Sequence, residues 1–381
     1  MGGNLRDRLK RIQLVKQNEI VQPADNTVSR NDGGEINPHL FEERGWVSAG
    51  YKTLRRQICG EEIPLPEKMP EASRLVMPGI DTGTAYEDLL FFDLETTGLS
   101  GGAGTAAFLA AFGRLENTGK AGQTADTGAA LYRLRITQYL LLDYPGESDF
   151  IEALSGEFKP DGFTMVSYNG KCFDSQILKN RCLMNGIKPP EYRHADLLHP
   201  ARRLWKKILP DCSQGTIETN ILGIDRTGDI PGFMAPEAWF SFLKDGNAGL
   251  LFGICDHNRR DISGLASIFS AMVCLASDPV SAIEKINYDP ESLALRLYRA
   301  GGKTEREETG RRLLVLAAER GGLRALRVLA IDSEWRLKDF GEALEWAARG
   351  LELSDEDSAL RIDFEKRSER LRKKLSYEAA Q

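Results

Sequence analysis

The 381-residue sequence predicts a mixed α/β sheet flanked by helices, joined to an all-helical C-terminal region. Three observations carry that reading. Three strand-like apolar runs follow one another from Leu89: "LLFFDLE", "TAAFLAAFGRL" and "LYRLRITQYLLL". Helical and strand-like segments then alternate as far as Ala276. Strand signals disappear after about Asp278, where only helical texture remains.

Taken in order, residues 1–84 are mixed and weakly periodic, with turn clusters at "RNDGGEINPH" and "EEIPLPEKMPE". They read as an N-terminal extension, partly irregular, and helical at "LRDRLKRIQLVKQ". The glycine-rich "TTGLSGGAG" parts the first two apolar runs, and the polar "ENTGKAGQTADTG" forms a loop tip before the third. "ESDFIEALSGEF" is helical, "GFTMVSYN" a strand, and "FDSQILKNRCLMNG" a helix with a glycine stop. A short apolar "HADLLH" precedes the basic helix "PARRLWKKIL", and a long helix spans 248–276. The expected sheet domain therefore covers 85–277, and the helical region 278–381. In the latter, "GLRALRVLAIDSEWRL" and "DFGEALEWAARGLEL", with Ala343 among apolar neighbours, fit one tetratricopeptide-like unit and equally a plain amphipathic pair. The charged "RIDFEKRSERLRKKLSYEAA" reads as a solvated helix.

A composition of 41% hydrophobic and 28% charged residues is that of an ordinary globular protein. No apolar run of membrane-spanning length and no signal-peptide pattern is expected. The six cysteines are scattered without a CxxC pair, which speaks against a zinc site or disulfide framework and for a cytoplasmic setting. A net charge of −6 offers no global attraction to nucleic acid, so a polyanion would need a local basic patch or metal ions.

"FFDLETTGLS" places Asp93 and Glu95 on one side of a strand, about 6.6 Å apart along the backbone. Two acids on an apolar strand repel each other unless something positive sits between them, and a divalent cation suits that place. The alternative is a strand end solvated by water. "SYNGKCFDSQILKNR" puts Asp174 where a strand gives way to a helix, a position that also allows capping. "DHNRRDISGLA" sets His257 and Asp261 four apart on one helix face, a spacing equally found in an exposed charged turn.

In this order, "DLETTG", "YNGKCFD" and "HNRRD" resemble the three motifs of the DEDD exonuclease superfamily, which has a ribonuclease H-like fold. With "HADLLHPARRLWKKIL" and "TIETNILGIDRTGDIPG", the stretch 85–277 is most similar to the bacterial YprB-like predicted exonucleases. The resemblance implies that Asp93, Glu95, Asp174 and Asp261 are the four acidic ligands of two Mg²⁺ or Mn²⁺ ions. It implies a 3′→5′ exonuclease acting on single-stranded DNA or RNA. One departure stands out. The family carries a histidine five residues before its last aspartate or a tyrosine four before it, whereas here Asp256 and His257 hold those places. Histidine, with an ordinary pKa of about 6.5, suits proton transfer better than tyrosine, so His257 joins the expected catalytic set.

For substrate contacts, Arg202 with Lys206 and Arg203 with Lys207 form a basic stripe around Trp205, which is itself a core candidate. Asn169 and Phe173 flank Asp174, and Thr96, Thr97 and glycines 98, 101, 102 and 104 form a loop beside the acids. Asp196 is a further acid, not counted as a ligand. The role of the 224–236 loop is not legible from sequence. A different class of function remains open, in which the fold binds nucleic acid without turnover and the C-terminal helices dock a protein partner.

Overall fold

The computed structural model describes residues 39–98, 104–121, 129–158, 162–300 and 305–378. The helix expected at "LRDRLKRIQLVKQ", the loop tip at 122–128, and Gly101 and Gly102 lie outside the described residues.

A seven-stranded mixed sheet forms the centre, in the order β1-β2-β5-β4-β3-β6-β7. Its strands are β1 (Val47–Gly50), β2 (Thr53–Pro66), β3 (Leu89–Thr96), β4 (Ala107–Ala121), β5 (Ala129–Leu141), β6 (Thr164–Ser167) and β7 (Arg193–Asp196). Pairing is antiparallel from β1 across to β3, while β6 and β7 run parallel to β3. The mixed sheet with flanking helices is the predicted architecture. Residues 47–66, however, were expected in an irregular extension and instead give two strands of this sheet. The reason lies in β2, where one extra residue between Cys59 and Glu62 shifts the register against β5 and breaks the two-residue period. Pro64 and Pro66 further disguise the strand.

The helices are α1 (His39–Glu42), α2 (Ser73–Val76), α3 (Glu147–Ser155), α4 (Asp174–Met184), α5 (Leu198–Trp205), α6 (Gln214–Asn220), α7 (Ala235–Asp245) and α8 (Gly249–Ser277). Six more follow: α9 (Pro279–Lys285), α10 (Pro290–Ala300), α11 (Glu305–Glu319), α12 (Leu323–Asp332), α13 (Phe340–Leu353) and α14 (Ala359–Glu378).

Strand alternation divides the core. Leu90, Phe92 and Leu94 face one layer with Phe150 of α3, Ile177 of α4 and Trp239 of α7. Leu89 and Phe91 face the other, against the second half of α8. Gly113 of β4 lets α8 come close, since a Cβ there would stand 2.7 Å from Ile262 Cγ2. α8 is long and apolar enough to cross a membrane, contrary to the sequence expectation, yet 72% of its most apolar window is buried. It is the core helix of this fold.

The C-terminal helices share the α8-side core, which runs without interruption from Phe91 through Met272 and Leu297 to Phe364. Polar contacts reinforce the junction. Trp205 Nε1 donates to the Asn287 carbonyl (3.1 Å), and Lys207 reaches Asp289 (2.8 Å) and Glu291 (2.7 Å). Glu291 in turn accepts from the backbone N–H groups of Arg324 (2.8 Å) and Ala325 (3.2 Å) at the start of α12.

Candidate active site

β3 and β6 are parallel and in register from Leu89↔Thr164 to Phe91↔Val166, so their C-terminal ends lie side by side. In open α/β sheets that edge is where ligands bind. Here it sets Asp93 and Glu95 beside the turn leading from β6 into α4. Asp196 shapes that turn by accepting from the backbone N–H groups of Asn169 (2.9 Å), Lys171 (3.1 Å) and Leu198 (3.1 Å). Asp196 is an organising acid of this turn. Gly170 is required there, because a Cβ would fall 2.4 Å from Ser167 Oγ. Asp174 then opens α4, where the helix N-terminus favours an anion. α8 crosses the same edge and brings His257 and Asp261. Asp93, Glu95, Asp174, His257 and Asp261 thus line one solvent-open cleft of about 260 Å³, together with Thr96, Asn169 and Phe173.

The acids are held in an unfavourable state for anions. Burial, followed by the charge of Asp261, pushes Asp93 up to about 7, although Asn258 and nearby cations pull the other way. Burial and the charges of Asp93, Asp261 and Asp174 hold Glu95 well above the usual carboxylate range. Burial and Asp93 do the same to Asp174. Among the described residues, no Lys, Arg or His lies within ion-pair distance of these three; the nearest cationic side chains engage Asp261 instead. The carboxylates stand apart rather than closed, and among the described residues no three His, Cys, Asp or Glu side chains converge into a finished metal cage. An open set of uncompensated, acceptor-only oxygens is nonetheless the donor chemistry that a hard divalent cation takes.

The histidine register resolves cleanly. Asp256 turns away from the cleft and pairs with Arg56 (3.4 Å). His257 is 9% exposed, and its Nδ1 donates to Asp229 (3.0 Å) while Nε2 lies 3.3 Å from Asp261 Oδ2. Burial disfavours the imidazolium, but the bond to Asp229 and the charges of Asp261, Asp229 and Asp93 outweigh it and raise the pKa.

Several site residues were not apparent in the sequence. Asn258 is fully buried and donates to Asp93 Oδ2 (2.7 Å). Its own Oδ1 accepts from Gln138 Nε2 (2.8 Å), and Gln138 Oε1 accepts from Arg56 Nε (2.7 Å). A polar chain thus runs from β2 through β5 and α8 to the first acid. The only signal was composition: a buried-type helix position filled by Asn, next to a histidine. Arg226 and Asp229, from the 224–236 loop, were equally invisible.

The expected substrate contacts divide. Thr96 lines the cleft, but its hydroxyl donates to the Gly98 carbonyl (2.8 Å), and Thr97 Oγ1 accepts from Ala106 N–H (3.0 Å). Both hydroxyls shape the loop. Asn169 is exposed in the left-handed region (φ 65°), and Phe173 is half-buried at the cleft wall. Arg202 on α5 and Lys206 just past its end are exposed, and the Arg202 charge bears on the Tyr168 phenol at the cleft wall. Arg203 does not join them. Its Nη2 donates to the Val76 carbonyl (2.9 Å), and burial draws its pKa down to about 10. Lys207 is spent on the C-terminal helices, and Trp205 is core. The stripe is half as wide as its sequence suggests, because α5 is packed on two sides.

The model of the RNase_H superfamily matches residues 90–273. "Uncharacterized protein YprB" of Bacillus subtilis (strain 168) is 38% identical over 193 residues, which is 50% of this chain and 43% of that protein. The chain therefore matches less than half of that relative's length. Hydrolysis of nucleic acid is the common activity of the superfamily. The sheet order, the helix that carries His257 and Asp261 across its edge, and the superfamily match agree on the fold: residues 90–273 form a ribonuclease H-like domain.

Proposed function

We propose that the cleft is the centre of a metal-dependent 3′→5′ exonuclease that removes nucleoside monophosphates from single-stranded nucleic acid. The observation that supports it most is the gathering of Asp93, Glu95, Asp174 and Asp261 in one cleft, the first three without an ion-pair partner among the described residues. In this reading the four carboxylates hold two Mg²⁺ or Mn²⁺ ions. When bound, the ions supply positive charge to the attacked phosphate and the leaving 3′ oxygen, and make water a better nucleophile.

The chain's own residues do the rest. Asp229 accepts a hydrogen bond from His257 Nδ1–H and so fixes the tautomer, which leaves Nε2 to accept a proton from water. Asn258 fixes the orientation of Asp93. Phe173 and Tyr168 offer ring faces on which a frayed terminal base can stack. Arg202 and Lys206 contact phosphates further along the strand without reading sequence. A tetratricopeptide-like partner surface on the C-terminal helices belongs to the same proposal and draws support from exposed Trp335 and Leu337.

The test uses 5′-labelled single-stranded DNA and RNA of one sequence, incubated with Mg²⁺, Mn²⁺ or EDTA. The expected result is a ladder shortening from the 3′ end that vanishes with EDTA. Metal-independent cutting, or binding of both strands without any cleavage, would sink the proposal; the second outcome would favour a binding module.

A further inference from the structure

The 224–236 loop, whose sequence gives no clue to its task, ends up wedged between α6 and α8. Its shape is locally determined. Asp225 Oδ1 accepts from Thr227 N–H (2.8 Å), and Gly228 takes a left-handed φ of 74° that favours glycine. Ile230 seats against Gly253, where a Cβ would stand 2.1 Å from its Cδ1. The loop is therefore set in place, and it presents Arg226 to Asp261 and Asp229 to His257, the two α8 residues that line the cleft.

Arg226 joins three carboxylates. Its Nε donates to Glu218 of α6, its Nη1 to Asp229 (2.9 Å) and its Nη2 to Asp261 Oδ1 (2.5 Å). Glu218 is 1% exposed and lies so tightly over Gly264 of α8 that any Cβ there would overlap it. Gln214 ties the same place together by donating to Glu218 (2.8 Å) and to the Asp261 carbonyl (2.7 Å). Both Oδ1 of Asp261 and the Nδ1 of His257 are thus held by the loop, and Asp261 Oδ2 and His257 Nε2 are what remain to face each other.

We propose that Arg226 and Asp229 are positioning residues: Arg226 orients Asp261 as a metal ligand, and Asp229 orients His257. The inference rests on the proposed metal-dependent reading of the cleft. A carboxylate that ligates through one oxygen needs its other oxygen fixed, and loss of such an outer partner typically costs roughly 10–100-fold in metal affinity. Arg226 matches that need because a planar guanidinium aims five N–H donors in a rigid fork and so fixes the direction of each carboxylate it holds, whereas a lysine ammonium is a point charge on a flexible stem.

The experiment uses the full chain and Mn²⁺ as the probe, with affinity measured by calorimetry beside kcat and KM on a labelled strand. Arg226→Gln is expected to weaken Mn²⁺ binding by at least roughly 10-fold and lower kcat while KM stays within about 2-fold. Arg226→Lys, which keeps a cation beside buried Glu218, is expected to fall short of wild-type affinity as well, and it decides the matter if the Gln variant does not fold. Asp229→Asn is expected to keep Mn²⁺ affinity and lose kcat by roughly 10-fold. Wild-type or tighter Mn²⁺ affinity in both Arg226 variants would overturn the assignment of Arg226, and wild-type kcat in Asp229→Asn would overturn that of Asp229. A wild-type chain that binds no Mn²⁺ would overturn the metal-dependent reading itself, and this inference with it.

Discussion

Asp93 in the cleft and Glu334 in the C-terminal helices are both acids taken largely out of water, and the protein treats them in opposite ways. Burial alone would raise both. Around Glu334, which is 0% exposed, that cost is outweighed by Arg370 (2.6 Å), Lys374 (3.0 Å) and Arg367 (2.7 Å), and the carboxyl is drawn down to about 2. Around Asp93 the largest influence after burial is another acid, and the group is pushed up to about 7. The chain has cations enough to neutralise a buried carboxylate where folding is the purpose. Their scarcity around the strand-end acids is what the proposed metal-dependent reading builds on, in which the neutralising charge would come from outside.

Four measurements break or sharpen this contrast. The largest effect belongs to the cleft: Asp93→Asn or Asp174→Asn should cut nuclease activity by roughly 1,000-fold, the several kcal/mol that metal charge stabilisation supplies. Their unfolding midpoints in EDTA should not fall, since an uncompensated charge has been removed. Glu334→Gln should do the reverse, destabilising the chain by about 3 kcal/mol in denaturant while nuclease activity persists below the unfolding range. A fully stable Glu334→Gln protein would remove one side of the comparison.

The third measurement is pH dependence without metal. Asp93 has a folded pKa near 7, above its ordinary 3.8, so its contribution to stability is present at low pH and lost as pH rises through about 7. Glu334 behaves oppositely, its contribution present above the ordinary carboxylate range and lost as pH falls through about 2. Between pH 5 and 8 the denaturation midpoint should therefore drop in EDTA, and drop less steeply in Asp93→Asn. Parallel curves would contradict the assignment. The smallest effect is at the rim. Arg202→Gln and Lys206→Gln should each raise KM by a few-fold, leave kcat alone, and reduce the salt dependence of strand binding by about one phosphate contact.

How much of this was readable in advance follows from sequence distance. Asp93 and Glu95 share a strand, and His257 and Asp261 share a helix face, so a period of 2 or 3.6 residues displays each pair. Asp174 shows itself through the switch from strand to helix. The partners that tune them come from far away: Asn258 reaches Asp93 across 165 positions, and Gln138 reaches Asn258 across 120. No local period encodes such a meeting. The same holds for Arg226 and Asp261, 35 positions apart, and for Arg203, whose diversion to Val76 depends on a segment 127 positions earlier. The sheet was legible from β3 to β6, where apolar runs are clear, and hidden in β2, where the bulge and two prolines scramble the pattern.

The uninterrupted core beneath α8 has a consequence for how the chain behaves when stressed. Phe269, Met272 and Leu275 belong to the same buried cluster as Leu297, Leu326 and Phe364, so the central sheet and the distal helices hold a common interior. Heating or denaturant should then melt them in one cooperative step rather than two, and a protease cut after Ser277 should leave a fragment whose bared apolar flank drives it to aggregate.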